Sequence, residues 1–108
     1  MDVYAVGEGV DLNTAASATA IDTVGLDRKF GPGATVVVAF YLSAAAGTSL
    51  KLEGSDDDGS SYSALATIAA ADGAGTFFKK VTLKQKIRVT VVGTAGSGEV
   101  ANVYLLAN

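Results

Sequence analysis

Apolar and polar residues along this chain alternate with a period near two, the repeat of a β-strand with one wet face. Leu50 and Leu52 alternate with Lys51 and Glu53, and Ile87, Val89 and Val91 with Arg88 and Thr90. Between such segments lie clusters of glycine, proline, serine and aspartate at 25–33, 54–61, 71–75 and 93–98. These residues favour turns, glycine through positive φ, proline through its fixed φ, and aspartate and serine through local hydrogen bonds. No window of eleven or more residues sustains apolar spacing at i, i+3, i+4 and i+7 with good helix formers. The pattern predicts an all-β fold, an antiparallel β-sandwich or jelly roll of seven or eight short strands.

Within that frame, residues 1–16 read as an extended N-terminal arm with one short strand near 3–6, and residues 17–108 as a single sandwich domain. A strand is expected at 19–24. The strongly apolar run at 34–42 is expected to be a central strand buried on both faces. Strands follow at 62–69, at 76–83 and at 99–106, the last forming a hairpin with 87–91. Phe77-Phe78 followed by Lys79-Lys80 breaks the alternation and predicts a bulge near Lys79.

Composition narrows the choice of function. A chain of 108 residues can bury roughly 65% of its unfolded surface in one core. Its 49% hydrophobic content excludes a disordered tail, and 18% charged residues is low for a surface bathed everywhere by water. Part of that surface is therefore expected to be covered by neighbours. The net charge of -3 lacks the basic excess that drives non-specific DNA binding, so no direct nucleic-acid partner is expected. Cysteine and histidine are both absent, which removes disulfides, thiolate nucleophiles, the commonest zinc ligands and the commonest general base. No cofactor and no enzymatic activity are expected. Met1-Asp2 opens no secretory signal. The uncharged stretch 30–50 approaches the ~20 residues of a membrane span, but Gly31-Pro32-Gly33 breaks its start and small polar residues fill its end, so no membrane partner is expected.

Few residues are candidates for chemistry or contact. Asp56, Asp57 and Asp58, followed by Gly59, are a weak calcium candidate, without the spacing of an EF-hand and more simply read as a solvated hairpin turn. Asp22-Thr23 is the start of an aspartic-protease triplet whose third glycine is replaced by Val24. The glycine runs at 7–9 and 93–98 are not followed by a helix that could receive a phosphate. Tyr4, Tyr41, Tyr62 and Tyr104 are candidates for a sugar-stacking platform or for packing. Charge is segregated: Asp2, Glu8 and Asp11 lie early, whereas Lys79, Lys80, Lys84, Lys86 and Arg88 cluster with no acid among them. These eight residues are the candidate subunit or capsid contacts, the acidic arm of one copy meeting the basic strands of another.

The order of features resembles the small jelly-roll capsid cement, or decoration, proteins of tailed bacteriophages. The likeness runs through the Ala/Ser/Thr-rich lead into Thr19-Ala20-Ile21-Asp22, and through Asp27-Arg28-Lys29-Phe30-Gly31-Pro32-Gly33 before an apolar strand. It continues in Leu52-Glu53-Gly54-Ser55-Asp56-Asp57-Asp58-Gly59 and in the closing pair Ile87-Arg88-Val89-Thr90 and Glu99-Val100-Ala101. The resemblance implies a structural virion protein, made in the bacterial host cytoplasm, that assembles as a homotrimer. It would bind the major capsid protein on the outer capsid surface and brace the shell. The alternative is a carbohydrate-binding or adhesin module of a phage or bacterial surface structure, since similar sandwiches bind sugars. Met1 and the last strand ending at Asn108 lead us to expect a complete polypeptide.

Overall fold

Two four-stranded antiparallel sheets face each other in a computed structural model that describes residues 1–96 and 98–108. The strands are β1 (Asp2–Asp11), β2 (Ile21–Asp22), β3 (Thr35–Leu42), β4 (Ser49–Ser55), β5 (Ser63–Ala69), β6 (Gly75–Thr82), β7 (Lys86–Val92) and β8 (Val100–Ala107). One sheet runs in the order β1-β8-β3-β6 and the other β2-β7-β4-β5. First pairs with last, second with seventh, third with sixth and fourth with fifth. The chain is thus one long hairpin with its tip between β4 and β5, rolled up and sealed by the lateral pairs β3–β8 and β4–β7. That topology is a jelly roll, as expected for the fold class.

Alternation builds the core. Val36, Val38, Phe40 and Leu42 from β3 meet Leu50 and Leu52 from β4, Ile68 from β5 and Ile87, Val89 and Val91 from β7. Val103 and Leu105 from β8 complete the inner faces, and Leu12, Phe30 and Leu83 are also buried in the core. Between β3 and β4 the chain comes so close to the segment before β8 that a Cβ on Gly47 would lie 2.5 Å from the Thr94 backbone. Only glycine fits there.

Five expectations need correction. The strands expected as a closing hairpin, 87–91 and 99–106, do not pair with each other: β7 lies between β2 and β4 in one sheet, and β8 between β1 and β3 in the other. The N-terminal stretch is extended, but it is no free arm: β1 pairs along β8 from Asp2↔Ala107 to Asp11↔Val100 and sends Val6 into the core. Register shifts around Gly7 interrupt its alternation, which is why the sequence disguises a ten-residue strand. β2 is only two residues long. Beyond it, fully buried Thr23 ties the chain down, its Oγ1 donating to the carbonyls of Lys84 and Gln85 at 2.5 and 2.7 Å. β3 is central in its sheet but buried on one face, since Thr35, Val37 and Tyr41 remain exposed. Finally, no bulge occurs near Lys79, because β3 and β6 stay in register from Thr35↔Thr82 to Leu42↔Gly75. Phe77 and Phe78 simply point to opposite sides, while Lys79 shares the inner side with Val81 but escapes to solvent at the sheet's edge. The irregularity lies instead between Leu52 and Glu53 in the β4–β5 pair. Among the described residues, no helix is long and apolar enough to cross a membrane.

Candidate functional site

The acidic cluster occupies the tip of the rolled hairpin, between β4 and β5, and its three carboxylates serve three different partners. Asp57 accepts hydrogen bonds from the Ser55 hydroxyl (2.6 Å) and from the Ser61 backbone N–H (2.9 Å) and hydroxyl (2.5 Å). These bonds, the Ser55 hydroxyl foremost, hold its carboxyl down at about 2. Asp56 accepts from the Gln85 N–H at 3.2 Å and from Lys84 at 3.1 Å, and these two donors hold its carboxyl below the usual range. Asp58 stands 3.4 Å from the Lys86 ammonium, on a residue whose φ of 58° is left-handed. The carboxylates lock a turn and clamp it to the segment entering β7. Among the described residues, no three histidine, cysteine, aspartate or glutamate side chains are grouped to hold a metal ion.

The segregated charges are largely met within the chain. Lys84 pairs with Asp56, Lys86 with Asp58, and Arg88 with Glu53 at 2.9 Å. Arg88 also lies over the Tyr62 ring, 3.7 Å from its centroid, a cation–π contact. Burial acts to raise the Glu53 pKa, yet hydrogen bonds from Thr90 and Arg88 outweigh it and keep the carboxyl below its ordinary value. On the acidic side, Asp2 pairs with Lys29 at 2.9 Å, Asp11 caps the turn at Asn13 and Thr14, and Glu8 receives the Tyr104 hydroxyl at 3.3 Å. Lys79 and Lys80 take part in none of the ion pairs among the described residues. The eight candidates are therefore not one surface: three bases belong to the clamp on the second sheet, and two lysines stand apart on edge strand β6. Asp22 accepts from the Val24 N–H at 3.0 Å as a turn cap.

The tyrosines likewise go to separate places. Tyr4 packs inward near Phe30, with ring centroids 6.3 Å apart, and Tyr62 lies under Arg88. Tyr41 and Tyr104 meet edge to face at 5.7 Å on the outside of the β1-β8-β3-β6 sheet. There they belong to a feature that the sequence reading missed. Val3, Leu106, Val37 and Lys80 form one cross-strand row, and Ala5, Tyr104, Ala39 and Phe78 the next. Val3 and Phe78 are each 59% exposed, and Val37 and Tyr41 also stand open. The middle of this outer face is apolar, with Lys80, Thr35, Thr82, Thr76 and Asn102 around it, whereas the outer face of the other sheet carries Lys51, Glu53, Arg88 and Thr90. The signal was present in 36–42 and 103–106, where apolar residues run on without alternating.

Compared with protein-family models, curated proteins and solved structures, the chain matches none.

Proposed function

We propose that this chain is a structural protein of a tailed-phage virion that binds the major capsid protein on the outer surface of the shell and stabilises it. The observation that carries the reading is the apolar outer face of the β1-β8-β3-β6 sheet, a broad contact surface on a protein whose carboxylates are mostly engaged as turn locks and clamps. The order of sequence features resembling the capsid cement proteins supplies the particular partner. A rigid sandwich suits the task, because modest contacts repeated over a symmetric lattice add up to firm attachment. The four tyrosines do not gather on one face: Tyr4 packs inward, Tyr62 lies under Arg88, and Tyr41 and Tyr104 meet edge to face on the outer surface. Co-sedimentation with tailed-phage heads stripped of their own decoration proteins tests the proposal. The chain should pellet with heads in a fixed ratio to the capsid subunits and raise the temperature at which they rupture. A chain that stays in the supernatant with every head overturns it.

A further inference from the structure

We propose that Tyr41 and Tyr104 form an oxidative coupling site, where a one-electron oxidant of the haem-peroxidase and peroxide class joins the two phenol rings and ties β3 covalently to β8. Composition directs such oxidation to tyrosine. Cysteine, tryptophan and histidine are absent and there is a single methionine, so one-electron loss falls on the four tyrosines. Among the described residues only two of the four meet: the Tyr41 and Tyr104 rings stand edge to face with centroids 5.7 Å apart. Tyr4 packs near Phe30 and Tyr62 lies under Arg88, so neither has a second phenol beside it.

Position favours coupling within one chain. Tyr41 lies opposite Asn102 and Tyr104 opposite Ala39, so the two side chains are diagonal neighbours on one face, a spacing that aromatic rings span. Tyr41 is 38% exposed, which gives an oxidant its contact, and Tyr104 is half-buried beside it. The Tyr104 hydroxyl donates to Glu8 at 3.3 Å, so this carboxylate is placed to take the phenolic proton as the electron leaves. Each ring gives one electron to the oxidant and one proton away, Tyr104's to Glu8 and Tyr41's to water, while one peroxide becomes two waters. Rotation about the soft Cβ–Cγ torsions then brings together the ring carbons ortho to the oxygens. One C–C bond forms between them, and the hydrogen on each of those carbons moves to the phenol oxygen as the rings regain aromaticity. The bond bridges positions far apart in sequence, in a chain that has no cysteine to do so, and closing so long a loop restricts the unfolded state. The site belongs to the free chain and stands apart from capsid binding.

Hydrogen peroxide with a haem peroxidase, applied to the free folded chain at micromolar concentration, tests the inference. Each tyrosine falls in a different tryptic peptide, Tyr41 in 30–51 and Tyr104 in 89–108. The single-chain band of a denaturing gel should yield these two peptides joined, lighter than their sum by two hydrogens. Tyr41→Phe should abolish the joined pair, as should Tyr104→Phe, whereas a chain carrying both Tyr4→Phe and Tyr62→Phe should keep it in full yield. The thermal melt of each variant before oxidation shows that it folds. A single-chain band without this product overturns the inference, as do joined peptides of Tyr4 or Tyr62 in equal amount, or coupling found only between chains. A chain that couples these tyrosines yet ignores phage heads keeps this inference and loses the capsid reading, so the two fail separately.

Discussion

At the scale of the residue, Asp57 shows how little of this protein's charge is left over for chemistry. Its carboxylate organises the hairpin tip by receiving two hydroxyls and a backbone N–H, and its pKa falls to about 2. An unfolded aspartate titrates near ~3.9, so the charged form is favoured by folding. The stabilisation is therefore fully present above the unfolded pKa and is lost as pH falls through about 2. Asp57→Ala should melt well below the unsubstituted chain at neutral pH, and the two curves should converge between about pH 4 and pH 2. Thermal melts followed by circular dichroism across that range provide the check; a gap that does not close on acidification would show that the carboxylate's charge is irrelevant. The sequence announced a turn at 54–61 by its glycines and aspartates. It did not say which of three adjacent aspartates would bear it, because that depends on Ser55 lying inside β4 and on Lys84, Gln85 and Lys86 arriving from a distant segment.

Elements were legible where burial differs between their two faces, and obscured where it does not. β4 and β7 alternate cleanly because one side lies on the core and the other bears charge, so their period of two survives in the sequence. β3 is apolar on both sides, which reads as burial on both sides; the structure instead leaves Val37 and Tyr41 on its outer side exposed, and on β8 the outer Tyr104 and Leu106 are half-buried. Adjacent leucines on β8 separate the two situations. Leu105 is fully buried between the sheets, and Leu106 points to the outer face in the same row as Val3 and Val37. Leu105→Ala should cost about 2–5 kcal/mol, because the cavity cannot collapse between two hydrogen-bonded sheets. Leu106→Ala should cost under about 1 kcal/mol at concentrations where the chain is a monomer. Urea denaturation of both variants measures the contrast, and equal losses would mean that the outer face is covered within the folded monomer. β1 was the element hardest to see, since register shifts around Gly7 scramble the inside–outside order that marks a strand.

For the molecule as a whole, the rolled hairpin makes the first strand a structural partner of the last. No periodicity within a segment encodes that pairing, which is why strand order lay beyond the sequence reading while strand number did not. β1 contributes Val6 to the core, half-buried Tyr4 beside Phe30, and the backbone partners for β8 along most of its length. Beyond β1, Leu12 is fully buried, and its backbone N–H donates to the Glu99 carbonyl at 3.0 Å, stitching the two ends of the sheet. A flexible arm could be removed with little loss. Deleting residues 1–11 from this topology instead opens the inner faces of β8 and β7 to water and leaves β8 as a long, apolar, unpaired edge, the form of strand most prone to aggregate. With native stability of only about 5–15 kcal/mol in total, the shortened chain should show no cooperative urea transition. It should also bind the dye anilinonaphthalene sulfonate and sediment as aggregates. A truncated chain that unfolds cooperatively near the midpoint of the full one would return residues 1–11 to the status of an arm.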